Sequence, residues 1–203
     1  MREKANNTFT TVHAFYKGGE KSDNKKYEGN NLSPKQLVRN SKQPSNNVFL
    51  QTKREEVKNK TPQDIGHFFY TSGFSTGNCG EMACVALYVA ELKGVPKDQL
   101  KLMTHYTKHK LFGNANGFGH SYALLGPDNG EQWVIDPWAN ICCDIKDYTE
   151  TFKNKMDTWT AEGKRIGIPA FMGGANWLPP NDSHLATLLD AKEVSIRDYE
   201  QAG

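Results

Sequence analysis

The longest apolar stretch of the sequence, residues 82–90, constrains the fold more than any other feature. When these residues are placed on a helix, apolar side chains point in every direction, as is typical of a helix buried on all sides. Residues 85–89 alone are also compatible with a strand, but the length of the stretch, its alanines and the glycine at position 94 favour a helix. We therefore expect one helix that is buried on every face.

The residues that open this helix indicate a chemical role. Residues 77–81 read Gly-Asn-Cys-Gly-Glu, in which Asn78 is a good N-cap and Glu81 completes a capping box. This places Cys79 in the first turn, where unpaired backbone N–H groups and the helix dipole favour a thiolate. The flanking glycines leave room for a substrate chain, so we interpret Cys79 as a nucleophile and expect Asn78 and Gly80 to bind substrate. The alternative is that Cys79 is simply a small buried residue.

The four cysteines indicate reduced thiols rather than a disulfide framework. Cys142 and Cys143 are adjacent and rarely bridge each other, and no pair has the CxxC spacing of a zinc site. Cys84, on the apolar helix, is expected to be a small buried residue. We therefore expect no metal, no cofactor and a cytosol-like reducing compartment. No apolar stretch follows the amino terminus, so delivery into a host cell would not use a Sec signal.

Three runs resemble strands, at residues 102–107, 120–125 and 132–138. The last two flank Pro-Asp-Asn-Gly at 127–130, which is a strong signal for a hairpin turn. His120 and Asp136 are 16 residues apart with Asp128 as their midpoint. In a hairpin centred on Asp128 they face each other directly, with Cβ atoms roughly 4.5–5.5 Å apart. The carboxylate then holds the imidazole so that its other nitrogen reaches the thiol, which makes His120 the base and Asp136 its orienting group.

The same register makes further predictions about the hairpin. It places Tyr122 opposite Val134, and it turns Trp133 and Ile135 to the other face of the sheet. Tyr122 and Trp138 are the aromatic residues that we expect to bind substrate beside Asn78.

The remaining histidines lack such support and are interpreted as structural: His13, His67, His105, His109 and His184. We expect His105 and His109 near a strand end, facing water. His67 lies on the helix before the nucleophile and is the one that could line the cleft. The sequence contains no P-loop or dinucleotide fingerprint.

In this interpretation residues 1–47 form a polar, basic amino-terminal extension and residues 48–203 form the catalytic domain. The extension is rich in Asn, Lys, Ser and Gly, and we expect it to be loosely packed around one short helix that Ser33 and Pro34 open and that ends at Val38. In the domain we further expect helices at 61–73, 148–159 and 182–192, and a Gly/Pro-rich loop at 173–180.

Charge is distributed unevenly along the chain, although the net charge is only +2. Residues 1–60 contain 13 Lys and Arg against 6 Asp and Glu, whereas the remainder contains 12 against 17. A basic leader can attract an acidic partner or an anionic membrane surface, although solvated surface lysines are the simpler interpretation. We expect no nucleic acid partner, because no aromatic residues alternate with the basic ones, and no transmembrane segment, because no apolar run approaches about 18 residues.

With these residues identified, the chain resembles the transglutaminase-like branch of the papain-type superfamily. The resemblance is carried by Gly-Asn-Cys-Gly-Glu-Met-Ala, Leu-Lys-Gly-Val-Pro, Gly-His-Ser-Tyr-Ala-Leu-Leu and Trp-Val-Ile-Asp-Pro-Trp, within about residues 60–140. It implies an α+β fold in which a buried helix carrying Cys79 packs on an antiparallel sheet carrying His120 and Asp136. It also implies that these three residues act as nucleophile, base and orienting carboxylate.

Within this superfamily, the short chain and polar leader resemble bacterial effectors that deamidate glutamine in host proteins. The resemblance implies a cysteine-dependent acyl-transfer enzyme whose partner is a protein substrate presenting a glutamine. Attack of the thiolate on the carboxamide gives a thioester, from which water produces a deamidated product and a lysine amine produces a cross-link. A thiol peptidase with the same triad, and a non-catalytic interaction domain that retains the fold, are the alternatives.

One position departs from the papain-type pattern. Papain-type proteases have a glutamine six residues before the cysteine that helps to form the oxyanion hole, and here that position is Gly73. The backbone N–H of Cys79 supplies one donor, and Asn78, Ser72 and His67 are the candidates for the second. Because a missing donor typically costs about 3 kcal/mol in the transition state, this departure weighs against a plain peptidase.

Overall fold

The computed structural model describes residues 1–17, 22, 24–106, 119–169, 175–182 and 193–200. The helices in these ranges are α1 (Arg2–Lys17), α2 (Pro34–Glu56), α3 (Pro62–Thr71), α4 (Cys79–Leu92), a 3-10 turn (Lys97–Gln99) and α5 (Ile145–Ala161). The strands are β1 (Lys25–Tyr27), β2 (Leu100–Tyr106), β3 (Gly119–Leu125), β4 (Trp133–Asp136), β5 (Ile141–Asp144), β6 (Lys164–Pro169), β7 (Ala175–Leu178) and β8 (Glu193–Asp198). They form two antiparallel sheets, with strand orders β5-β4-β3-β2-β8 and β1-β6-β7.

The expected α+β fold is confirmed, and so is its predicted core, a buried helix carrying Cys79 packed on an antiparallel sheet carrying His120 and Asp136. Helix α4, which begins at Cys79, packs against the five-stranded sheet through β3 and against α3 and α1 on its other sides. Its residues 82–87, 89 and 90 are all buried, as the apolar stretch predicted. His120 lies on β3 and Asp136 ends β4, so the helix that carries the cysteine rests on the strands that carry the other two residues.

Helix α3 approaches α4 unusually closely, and Gly66 allows it. Thr61 caps α3 by accepting a hydrogen bond from Asp64 N at 3.0 Å, as predicted from the Thr-Pro start. A Cβ atom at Gly66 would lie 2.2 Å from the backbone oxygen of Cys84. Only glycine therefore fits where the two helices cross.

The predicted pairing of the β3–β4 hairpin is wrong by two residues. Leu124, and not Tyr122, pairs with Val134. Continuing this register places Asp136 level with Tyr122 and diagonal to His120. Because side chains alternate between faces with a period of two, a shift of two residues keeps His120 and Asp136 on the same face.

The shift arises in the connection between the strands. The turn closes with a hydrogen bond from Gly130 N to Pro127 O at 3.2 Å. Only Gly126 lies between this turn and β3, whereas residues 131–132 lie between the turn and β4. The ladder is therefore not centred on Asp128. The predicted orientation of Trp133 and Ile135 on the other face is confirmed, because they pair with Leu125 and Ala123.

The amino-terminal region is far more ordered than the sequence suggested. Residues 2–17 form a helix that packs on α4 through buried side chains including Ala5 and Val12. Ser33 and Pro34 open α2 as predicted, but this helix continues to Glu56 instead of ending at Val38. The expectation of loose packing around one short helix is therefore wrong, because tertiary contacts outweigh the weak helix propensity of the Asn/Ser-rich sequence. The proposed boundary at 47/48 lies inside α2, and the division into extension and domain stays a prediction.

The other elements agree with the sequence in part. Helix α5 and strand β2 lie where they were predicted, within a few residues at each end. The loop predicted at 173–180 contains strand β7, which pairs with β6, so this prediction is wrong for residues 175–178. Of the helix predicted at 182–192, all but Asp182 lies outside the described residues. None of the described helices is long and apolar enough to span a membrane.

Replacing Gly66 by alanine should destabilise the fold by roughly 1–3 kcal/mol, because the added methyl group overpacks the crossing of α3 and α4. Gly80→Ala is the matched control. A Cβ at Gly80, also helical, meets nothing within 4 Å. Urea unfolding of the two variants measures the difference, and equal midpoints would show that the helices can separate without cost.

Candidate active site

The start of α4 is held in place by a chain of hydrogen bonds that begins on α2. Asn78 is the N-cap, and its backbone N donates to Glu81 Oε2 at 2.9 Å, which forms the predicted capping box. Arg54 Nε and Nη2 donate to the two carboxylate oxygens of Glu81 at 2.7 and 3.2 Å. Burial alone raises the pKa of Glu81, but Arg54 and the backbone N–H groups outweigh it and lower the pKa. A charged Glu81 therefore fixes the turn from which Cys79 projects.

All four cysteines lie within the described residues and are free thiols, and Cys79 is the one that begins a helix. It is partly buried, and its Sγ lies 3.9 Å from the carbonyl oxygen of Gly119, the residue before His120. Burial raises the thiol pKa of Cys84 to about 12 and those of Cys142 and Cys143 to about 11. These three thiols are poor nucleophiles at neutral pH.

Asp136 is fully buried, and both oxygens of its carboxylate accept hydrogen bonds. Oδ1 accepts from the backbone N of Ala139 at 2.9 Å. Oδ2 accepts from His120 Nε2 at 2.8 Å and from the hydroxyl of Tyr148 at 3.0 Å. Three donors compensate the loss of water around the buried negative charge. The predicted pairing of His120 with Asp136 is therefore present, although the two residues are diagonal neighbours.

The orientation of the imidazole leaves one ring nitrogen available. Because His120 Nε2 faces the Asp136 carboxylate, the neutral ring carries its hydrogen on Nε2 and the lone pair on Nδ1. Nδ1 is buried and has no hydrogen-bond partner among the described residues. Burial by itself lowers the pKa of His120, but Asp136 and Cys79 outweigh it and raise the pKa to about 9. Asp136 and Cys79 are thus the two groups that favour the protonated imidazole.

Aromatic rings hold the imidazole on several sides. The ring centroid of His120 lies 5.1 Å from that of Trp138 and 4.9 Å from that of Phe152. Tyr122 packs on Tyr148 with a centroid distance of 4.5 Å. Tyr122 and Trp138 are only 3% and 2% exposed, so the structure places them as walls behind the histidine. Their predicted contact with substrate stays a prediction.

Of the predicted substrate-binding residues, Asn78 and Gly80 lie beside Cys79. Both are partly exposed, and the space around Gly80 is open. The two other candidates for the second oxyanion donor are less well placed. Ser72 Oγ donates to Phe69 O at 3.3 Å. His67 packs on Tyr88, which lies nine residues along α4 from Cys79, about 13 Å along the helix axis.

The expectation that His105 faces water is wrong. It is buried on β2, directly opposite His120 in the β2–β3 ladder, and its Nε2 lies 3.1 Å from the hydroxyl of Tyr122. Burial, together with the charge of His120, lowers the pKa of His105. A neutral His105 therefore supports the tyrosine behind the site, whereas His109 lies outside the described residues.

Sequence reasoning missed Tyr148 and the residues of the amino-terminal segment that reach the site. Asn24 Oδ1 accepts from Trp138 Nε1 at 3.0 Å, and Lys25 lies against the same indole ring. Ser22 Oγ lies 2.7 Å from Asn78 Oδ1. No local motif marks these residues, because each belongs to an element that only tertiary packing brings to the site. The described residues include no group of three or more His, Cys, Asp or Glu side chains arranged to hold a metal ion.

Comparison with known proteins adds little about function. No family model and no curated protein matches the chain. The solved structure of Legionella pneumophila LapG (EGTA-treated) aligns with a TM-score of 0.35 at 16% identity, over 70% of this chain and 57% of that one. Another structure, of Legionella pneumophila LapG, aligns with a TM-score of 0.28 at 14% identity, over 68% of this chain and 77% of that one. TM-scores of this size carry neither reaction nor substrate across to this chain.

Stability should depend on pH through the His120–Asp136 pair. The pKa of His120 is raised to about 9, so its stabilising contribution is complete below the unfolded value of about 6.5 and is lost as the pH rises through about 9. We expect the wild type to lose on the order of 3 kcal/mol more than His120→Gln between these limits. Urea unfolding at a series of pH values measures the free energy of unfolding of both proteins. If this free energy changed with pH in the same way in both, the pairing of His120 with Asp136 would be contradicted.

Iodoacetamide at neutral pH should label Cys79 before the other cysteines. A thiol whose pKa is about 11 is ionised in only about one molecule in ten thousand at pH 7, so Cys142 and Cys143 serve as internal controls. His120→Gln should slow labelling of Cys79 and leave the controls unchanged. Peptide mapping by mass spectrometry reads each site, and equal rates at Cys79 and Cys142 would exclude an activated nucleophile.

Proposed function

We propose that this protein is a cysteine-dependent acyl-transfer enzyme that acts on glutamine side chains of a protein substrate. The observation that supports this proposal most is that the two ring nitrogens of His120 have different surroundings. Nε2 is held by the buried carboxylate of Asp136, which accepts three hydrogen bonds, while Nδ1 has no hydrogen-bond partner among the described residues and is left for the thiol of Cys79. The buried Nδ1 of His105 likewise has no hydrogen-bond partner among the described residues, so what sets His120 apart is the Asp136 carboxylate on Nε2 together with the influence of Cys79 on its pKa.

In the resting site the proton of Cys79 is already on Nδ1, because the pKa of His120 is raised to about 9, and the thiolate attacks the carboxamide carbon of the substrate in the first half of the reaction. The oxygen of the tetrahedral intermediate accepts a hydrogen bond from the backbone N–H of Cys79 at the start of α4. The imidazolium then donates its proton to the nitrogen of the leaving group, the C–N bond breaks and ammonia departs. The substrate acyl group remains on Sγ as a thioester.

In the second half, His120 acts as a base toward an incoming nucleophile. Water attacks the thioester carbon, its proton passes to Nδ1 and the C–S bond breaks, which releases a glutamate side chain and restores the thiol. A lysine amine in place of water gives an isopeptide cross-link. We favour hydrolysis, because Cys79 is partly exposed and the space beside Gly80 is open, so water reaches the thioester.

A side-chain amide fits the site better than a papain-type peptide bond. Position 73, where papain-type proteases have their glutamine donor, is an exposed glycine with a φ of 69°. The site therefore lacks the side-chain donor of papain-type proteases, whose loss typically costs about 3 kcal/mol, and this distinguishes it from a papain-type peptidase; the oxyanion formed from a carboxamide needs a donor in the same way. A carboxamide at the end of a flexible side chain needs less of the surrounding groove than a backbone peptide does.

Ammonia release from an N-blocked glutaminylglycine dipeptide, and intact-mass spectrometry of a glutamine-rich unfolded protein such as casein, test the proposal. We expect ammonia and the small mass gain of amide-to-acid conversion with the wild type. We expect neither with Cys79→Ala, and unchanged rates with Cys142→Ala. The asparaginyl dipeptide is the matched substrate control and should react more slowly.

The alternatives give different masses in the same experiment. New fragments of the protein would identify a thiol peptidase, and joined species formed in the presence of a primary amine would identify a cross-linking enzyme. A wild type that is indistinguishable from Cys79→Ala, and whose Cys79 is labelled no faster than Cys142, would identify a non-catalytic domain.

A further inference from the structure

Lys25 is a buried lysine that the reaction described above does not use. It lies on β1, and only 5% of its surface is exposed. Its Nζ donates a hydrogen bond to the backbone oxygen of Trp138. The same Nζ lies 3.9 Å from the ring centroid of Trp138 and 4.5 Å from that of Trp159. A carbonyl oxygen and two indole faces are groups that stabilise an ammonium ion.

A buried ammonium group normally has a carboxylate partner, because burial of an unpaired charge is costly. Among the described residues, no carboxylate forms a salt bridge with Lys25. The negative groups that act on it from a distance are Asp136 of β4 and Cys79 of α4. The positive groups that act on it are Arg39 of α2 and Lys164 of β6. The candidate active site is therefore the source of the negative charge that Lys25 experiences.

The segment that carries Lys25 is attached to both halves of the site. Asn24 Oδ1 accepts a hydrogen bond from Trp138 Nε1, and the centroid of the Trp138 ring lies 5.1 Å from that of His120. Ser22 Oγ is hydrogen-bonded to Asn78 Oδ1, next to Cys79. These contacts fix the position of Lys25 relative to the nucleophile and to the histidine, so it is part of the wall of the site and not a surface lysine that folded inward.

We propose that Lys25 is a positioning residue whose protonated ammonium group, held against Trp138, stabilises the negative charge of the Cys79 thiolate. This inference rests on the proposed function, because it concerns the charge state of the same nucleophile. With Cys79 as a thiolate, His120 as an imidazolium and Asp136 as a carboxylate, the site carries one net negative charge. The ammonium of Lys25 compensates it without contacting the substrate.

The coupling between the two groups must be reciprocal, because it is a property of the pair. Burial lowers the pKa of Lys25 well below its usual range, Arg39 and Lys164 lower it further, and Asp136 and Cys79 raise it. If the thiolate raises the pKa of Lys25, then protonated Lys25 favours the thiolate to the same extent. Lys25 therefore stabilises the thiolate at pH values below its own lowered pKa, and this stabilisation is lost as the pH rises through that pKa.

The first measurement uses the unaltered sequence. Protein labelled with ¹³C at the lysine ε-carbons is titrated by NMR before and after complete alkylation of Cys79 with iodoacetamide. Alkylation removes the negative charge from sulfur, so we expect the titration midpoint of Lys25 to move to lower pH. The resonance of Lys164 is the internal control. A midpoint of Lys25 that does not move would overturn the proposal.

Three variants provide the second measurement, the pH dependence of the rate at which Cys79 is alkylated. Lys25→Met should slow alkylation at pH 7 by at least about fivefold and move the midpoint to higher pH, because it removes the charge and keeps the volume. Lys25→Arg should restore both values. Lys164→Met, which removes the ammonium group 3.7 Å from the Trp159 ring, should not move the midpoint to higher pH.

The outcomes separate this inference from the function on which it rests. If Cys79 of the wild type is labelled no faster than Cys142, the activated nucleophile itself is excluded. If Cys79 is labelled preferentially and folded Lys25→Met behaves as the wild type, only the role of Lys25 is excluded. Should Lys25→Met fail to fold, the NMR titration of the unaltered protein decides alone.

Discussion

The buried carboxylate of Asp136 is the constraint on which the site depends. A carboxylate with no exposure to water is tolerated only when donors surround it, and this one has three. Each donor comes from a different part of the fold: His120 from β3, Ala139 from the turn after β4, and Tyr148 from α5. Satisfying one charge therefore fixes the tautomer of the histidine and draws a helix against the sheet.

Cys79 is positioned by a second, independent arrangement of charge. Arg54 on α2 neutralises Glu81, and Glu81 in turn accepts from the backbone of the residue before Cys79. Residues 1–47, which looked like a loose leader, supply the segment that carries Lys25 and the first half of α2, the helix whose last turn carries Arg54. The separation into extension and catalytic domain describes the charge distribution of the sequence better than it describes the packing.

Much of the core follows from local rules. The buried helix, its N-cap, the Thr-Pro start of α3 and the faces of the hairpin strands each depend on residues close together in the chain, and the structure confirms them. The pairing of His120 with Asp136 was reached through a register that is wrong by two residues. The prediction that the two residues share a face was still correct, because the face on which a side chain lies alternates with every residue and a shift of two leaves it unchanged. The partner of each residue depends instead on the number of residues in the turn.

The sequence by itself determined which helix is buried, where Cys79 sits on it, and that His120 and Asp136 share a face of one sheet, because capping and periodicity act within a few residues. Only the tertiary structure decided which residues support the site: Tyr148 on the carboxylate of Asp136, Lys25 against Trp138, His105 behind Tyr122 and Arg54 on Glu81. These contacts join residues that are distant in the chain, and they exist because buried polar groups must find partners wherever packing brings them. No local sequence pattern predicts contacts of this kind.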